Sequence, residues 1–173
     1  LLALTFLFLF SGSSVVFAGD LQDGLDAATS GDFETAYKLW LPLAEKGNAT
    51  AQSNLGQMYR NGDGVPQDYK EAVKWYRLSA EQGHAFAQST LGYFYQEGKK
   101  VPQDFKEAVK WNRLSAEQGD AKGQYNLGAM YSNGQGVPQD YVSAHMWFNL
   151  CGSSELIRPG CVNKRNIVEK KMT

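Results

Sequence analysis

The chain has 173 residues, of which 43% are hydrophobic and 13% aromatic, a composition that suits one packed domain and excludes a disordered segment. Its formal net charge of −1 excludes the basic excess on which general nucleic-acid binders depend. The carboxy-terminal segment is locally basic (Arg158, Lys164, Arg165, Lys170 and Lys171), which reads as a solvated helix face rather than a ligand patch.

The first element carries no charge: "LLALTFLFLF", then "SGSS", then "VVFA". Residues 1–18 read as a secretory signal peptide, with Val16 and Ala18 meeting the small-residue rule and the cut falling after Ala18. With no initiator Met and no basic start, the chain is expected to be clipped at its beginning. The competing reading is a retained anchor, because an uncharged stretch of this length nearly spans a bilayer of ~30 Å. The Ser-Gly-Ser-Ser break and the Val-Phe-Ala exit favour cleavage, which leaves an exported protein, periplasmic or secreted, with no stable membrane span.

From residue 32 the chain repeats itself. "YRNGDGVPQDYKEAVKWYRLSAEQG" begins at Tyr59 and has two echoes, each 36 residues on. Trp75, Trp111 and Trp147 keep that spacing, as do Gly56, Gly92 and Gly128. A half repeat at 32–47 precedes full copies at 48–83, 84–119 and 120–152. A period of this size indicates stacked helix pairs. In each copy the first helix, A, is expected to start at Asn48, His84 or Asp120, with His the weakest cap. It should stop at Gly62, Gly98 or Gly134, where positive φ is wanted. "VPQD" then forces an extended connection. Helix B opens on Asp68 with Glu71, or Asp104 with Glu107, at capping-box spacing, and its Tyr69, Ala72, Val73 and Tyr76 form one apolar face. Pro42, inside "YKLWLPLAEKG", should kink or interrupt the first B helix. The three tryptophans should be buried in equivalent sites. The segment 158–173 reads as a closing helix, itself truncated, after a solenoid spanning 19–157.

The repeated residues "AQSNLGQMYRNGDGVPQDYKEAVKWYRLSAEQG" and their echoes resemble the Sel-1-like repeat (SLR) family, relatives of the tetratricopeptide repeat. The resemblance covers roughly Asp32 to Gly152. It implies an all-α fold, a right-handed α/α superhelix of antiparallel helix pairs, and a role as an adaptor that gathers other proteins; bacterial members are often exported. Lys100 departs from the pattern by replacing a loop glycine, so that turn should be strained or rearranged.

Helix A offers a finer handle. Ala51, Gln52, Leu55, Gly56, Met58 and Tyr59 hardly change between copies. Four sets vary freely: Thr50/Phe86/Lys122, Ser53/Ser89/Tyr125, Gln57/Tyr93/Ala129 and Arg60/Gln96/Ser132. At ~100° per residue the variable sets make one narrow stripe opposite the constant side. The resemblance implies that helix A lines the concave surface that solenoids use for binding. Arg60, Phe86, Tyr93 and Tyr125 are therefore the candidate contacts with a protein or peptide partner; a merely solvated stripe is the plainer alternative.

No catalytic constellation and no cofactor or metal site emerges. His84 and His145 stand at different positions in their units, without partners at zinc spacing. "NGDGVPQD" lacks the later Glu of a calcium loop. A β-lactam-binding or hydrolysing enzyme of the cysteine-rich SLR type is the rival from another class. Such relatives carry a cysteine pair within each repeat, whereas residues 48–139 hold none, and no Ser-x-x-Lys motif is present. An envelope glycan binder is a third reading, weakened because most aromatics are committed to packing. In an exported chain Cys151 and Cys161 have the option of forming a disulfide that pins the closing helix.

Overall fold

Helix boundaries follow from side chains that satisfy the free backbone groups at each end. Asn48 and Asp120 accept from the amides of Ala51 and Gly123, while Asp68, Asp104 and Asp140 each accept from two amides of the turn they open. The A helices end on Gly62, Gly98 and Gly134, all left-handed, with φ of 82°, 68° and 69°. The computed structural model describes residues 11–98, 101–155 and 157–172. Among them are nine helices and no strand: α1 (Ser11–Thr29), α2 (Phe33–Glu45), α3 (Ala49–Asn61), α4 (Tyr69–Glu81), α5 (Ala85–Glu97), α6 (Phe105–Glu117), α7 (Ala121–Asn133), α8 (Tyr141–Cys151) and α9 (Arg158–Glu169). They form an all-α superhelix in which each helix packs against its chain neighbours.

The capping-box expectation holds only in its first half. Asp68 and Asp104 cap as expected, but Glu71 and Glu107 turn forward, Glu71 to Lys74 at 2.9 Å and Glu107 to Lys110 at 3.2 Å and Trp111 Nε1 at 2.9 Å. In the third copy Ser143 replaces the Glu, and its hydroxyl donates to Asp140 Oδ2 at 2.6 Å. The Ser143 hydrogen bonds hold the Asp140 carboxyl below its ordinary pKa.

The half repeat proves to be a full pair. Helix α1 packs on α2 as a further A helix, with Leu21, Ala27 and Ala28 against the core and Trp40 Nε1 donating to Leu21 O at 3.2 Å. The 36-residue register hid it, because residues 62–68 join α3 to α4 but only 30–32 join α1 to α2, four fewer. Pro42 neither interrupts nor ends α2, which runs on to Glu45. Buried Trp40, Leu43 and Ala44 hold that turn in the core, which outweighs one missing backbone bond.

One contact recurs in every pair. A Cβ added at Gly56 would stand 2.9 Å from the Tyr76 ring, at Gly92 2.7 Å from the Asn112 amide, and at Gly128 3.0 Å from the Phe148 ring. Gly24 faces Trp40 in the same way, still closer. Successive pairs are joined by polar staples. Gln52, Gln88 and Gln124 donate through Nε2 to Ala44 O, Ala80 O and Ala116 O in the last turns of the preceding B helices, oxygens that also accept from the amides of Gly47, Gly83 and Gly119. Within a pair, Ser79 and Ser115 donate to Ala49 O and Ala85 O, 30 residues back, and tie the B helix to its own A helix. The invariant Tyr59, Tyr95 and Tyr131 bond through their hydroxyls to Tyr37, Arg77 and Arg113 of the preceding B helix.

The tryptophans are not all equivalent. Trp75 and Trp111 are 8% and 4% exposed, each in the core shared by its own A helix and the preceding B helix, but Trp147 is only half-buried. Lys74 and Lys110 lie over the first two rings, at 5.5 and 4.7 Å, with Glu71 and Glu107 beside them. Met146 and the short Ser143 replace that cover around Trp147. Cys151 and Cys161 are both fully buried and bridged, their Cα atoms 5.9 Å apart. Helix α9 begins before Cys161, at Arg158, so Pro159 and Gly160 form its first turn rather than a turn ahead of it. Lys100, the departure in the second loop, lies outside the described residues.

His84 is the weak cap expected. It makes no side-chain capping bond, and its buried Nδ1 has no partner among the described residues. Burial lowers its pKa below the ordinary 6.5, so the folded chain holds that proton less tightly than the unfolded one. The sign follows: stability is full above pH ~6.5 and declines as pH falls through 6.5 toward the lowered folded value. His84→Asn should restore the cap of Asn48, raise stability by ~1 kcal/mol at neutral pH, and flatten this decline in thermal melts taken across the acid range. Unchanged melting at every pH would contradict this.

Candidate functional site

Helices α5, α7 and α9, all A helices, touch in succession, while α6 and α8 make no comparable contact. These three helices therefore lie closer, each to the next, than α6 lies to α8. They border a cleft of about 450 Å³. Helix α3 contributes Arg60. Helix α5 contributes Ser89, Thr90 and Tyr93, and α7 contributes Lys122, Tyr125 and Asn126. Ile157, Pro159 and Gly160 close the far wall.

Three of the four sequence candidates, Arg60, Tyr93 and Tyr125, thus line one cleft. Tyr93 is 47% exposed although it lies one residue from the buried Phe94. Tyr125 leans on Phe148, ring centroids 5.7 Å apart, which fixes its angle to the cleft. Arg60 donates through Nε to Asn61 Oδ1 at 3.1 Å. Phe86 is not in the lining. Its ring packs 6.3 Å from Tyr76 and lies beneath the ammonium of Lys122 at 5.1 Å, so it supports a lining residue rather than acting as one. Tyr76 below it is buried, and burial pushes its phenol up to about 12.

The lining also holds residues that the candidate list missed. Lys122 and Ser89 belong to the variable sets of helix A but are not aromatic. Thr90 and Asn126 occupy a position that also varies between copies, with Asn54 in the first. Ile157, Pro159 and Gly160 follow the last repeat, where no internal comparison exists. The disulfide sets this wall: Cys161 follows Gly160, whose added Cβ would stand 3.7 Å from the Tyr125 ring.

Ser89 Oγ donates to Phe86 O at 3.2 Å, and Asn126 Nδ2 to Asn112 Oδ1 at 3.1 Å, so both are tied to the scaffold. Among the described residues no group of His, Cys, Asp and Glu is placed to hold a metal ion, and no helix is long and apolar enough to cross a membrane.

The Sel1 repeat family model matches residues 18–48, 49–84, 85–120 and 121–150, so its first copy takes in the part of α1 from Ala18 onward. Among solved structures, a Sel1 repeat protein from Oxalobacter formigenes is 34% identical, with a TM-score of 0.73 over 84% of this chain and 61% of that one. The protein c5321, a protective antigen of uropathogenic Escherichia coli strains displaying an SLR fold, is 40% identical, with a TM-score of 0.75 over 82% of this chain and 31% of that one. This chain therefore spans less than two thirds of either. Cysteine rich protein B of Helicobacter pylori, 19% identical over 70% of this chain and 92% of its own with a TM-score of 0.54, shares the fold. A comparison with curated proteins returned no match. The repeats, their glycine contacts and these likenesses agree: the chain belongs to the Sel1 repeat family.

Proposed function

We propose that the protein is an exported, non-catalytic scaffold that binds a protein or peptide in the cleft along its A helices. Sel1 repeat membership points to a protein-interaction scaffold, and such scaffolds are generally non-catalytic. One observation carries the finer reading. Positions that vary between copies coincide with the lining of the cleft at Arg60, Ser89, Tyr93, Lys122 and Tyr125. An aromatic side chain left exposed in a concave, water-accessible site is the type of residue that anchors a partner.

In this reading residues 1–18 are a leader and the working chain starts at Gly19. Leu21, Gly24, Ala27 and Ala28, which pack α1 against α2 and Trp40, all lie downstream of Ala18. Removal of the leader therefore keeps the first pair. Expression in a bacterial host behind a normal start should yield a mature protein whose amino-terminal sequencing begins at Gly19; an intact leader in the membrane fraction would refute export by this route.

The binding surface is tested by Tyr93→Ala and Tyr125→Ala, with Leu91→Ala as a packing control. Crosslinking capture from an envelope extract should lose the same partner with both tyrosine variants, each truncation costing ~2 kcal/mol or more of binding. Leu91, fully buried, should instead lose ~2–5 kcal/mol of stability when truncated. Full partner capture by both tyrosine variants would move the binding site elsewhere.

A further inference from the structure

We infer that the cleft takes a short acidic peptide, one that presents an Asp or Glu carboxylate beside a large apolar side chain; this rests on the peptide-binding reading above and specifies it. The argument begins with charge. The chain carries 18 acidic and 17 basic residues, so its surface is nearly balanced. Among the described residues the cleft departs from that balance, with two cations in its lining, Arg60 and Lys122, and no acid.

Both cations are available. Lys38, Lys74 and Lys110 are each paired with a glutamate one turn away on their own helix. Arg60 and Lys122 are in no ion pair among the described residues. Arg60 commits only Nε, to Asn61, and leaves the terminal nitrogens of its fork, the part that grips a carboxylate through two parallel bonds. Lys122 rests on the Phe86 face, a contact that holds the side chain in place without using its N–H donors. Nor does the repeat require either cation. The position of Arg60 holds Gln96 and Ser132 in the other copies, and that of Lys122 holds Thr50 and Phe86.

Within the same lining are Tyr93 and Tyr125, and the far wall adds Ile157 and Pro159. That surface suits an aromatic or aliphatic side chain. A volume of about 450 Å³ lies within the ~300–1,000 Å³ of pockets that enclose small ligands, so the cleft admits a few side chains of an extended peptide rather than a flat domain face. Two cations are too few for a nucleic-acid backbone, which needs a basic track running along many phosphates.

The test is to pan a phage library of random short peptides on the full chain, on a Tyr93→Ala/Tyr125→Ala variant, and on an Arg60→Gln/Lys122→Thr variant. The last carries only residues that the repeat already uses at those positions. The expected result is an enriched motif with Asp or Glu next to a large apolar residue. The synthetic peptide should bind about tenfold or more weaker to the cation variant and weaken as salt rises. A motif without acid, bound equally by the wild type and the cation variant, overturns the acidic-partner inference and leaves the peptide-binding reading standing. No enrichment, or enrichment unchanged by the tyrosine substitutions, overturns both.

Discussion

The stack depends on one close approach: an A-helix glycine set against a bulky or polar side chain of the B helix that follows it. Gly24 meets Trp40, Gly56 Tyr76, Gly92 Asn112 and Gly128 Phe148. The missing side chain lets the two helix backbones come near enough for the opposing group to lie flat against the turn. Glycine costs roughly 0.5–1 kcal/mol relative to alanine inside a helix. Burial of an aromatic ring, as at fully buried Tyr76 and Phe148, recovers more than that. Asn112 shows that the opposing group need not be apolar, provided its polar atoms are bonded, as its Oδ1 is by Asn126.

That contact faces each A helix in one direction, and the other features follow. The side holding Gly56 also holds Ala51, Gln52 and Leu55, so the glutamine reaches back to the preceding B helix and adds a second donor to the Ala44 carbonyl, which also accepts from the Gly47 amide. The opposite side has a lighter packing duty, confined to contacts such as Phe86 on Tyr76 and Tyr125 on Phe148. Its residues drift between copies, and in α3, α5 and α7 they come to border one cleft. Tyr93 shows the division: it lies between Gly92 and Phe94, which are both committed to the core, yet is itself exposed.

Much of this was legible in the sequence because repetition gives an internal comparison. Three copies expose which positions are constant, and 36-residue spacing places Gly62, Gly98 and Gly134 at helix ends without reference to coordinates. Legibility failed where the comparison failed. Helix α1 sits four residues out of register behind a shorter connection and keeps little of the repeat beyond Gly24, so only its second helix was read. The wall at Ile157 to Gly160 has no counterpart in other copies. Phe86 stands apart for another reason: a variable aromatic looks alike in sequence whether it lines a cleft or supports a lysine, and the Lys122 contact places Phe86 behind the lining. Trp147 differs from its equivalents because burial depends on the neighbours at 143 and 146, which the third copy changed.

The central claim is that the glycine contact holds each pair, including the first. Gly24 and Gly19 lie on the same helix, but a Cβ at Gly24 would collide with the Trp40 ring while one at Gly19 would meet nothing within 4 Å. Thermal unfolding of Gly24→Ala and Gly19→Ala beside the unaltered chain tests the claim most directly. The account predicts that Gly24→Ala loses ~1–3 kcal/mol to overpacking, while Gly19→Ala melts at or above the parent. Equal melting of the two variants would contradict it.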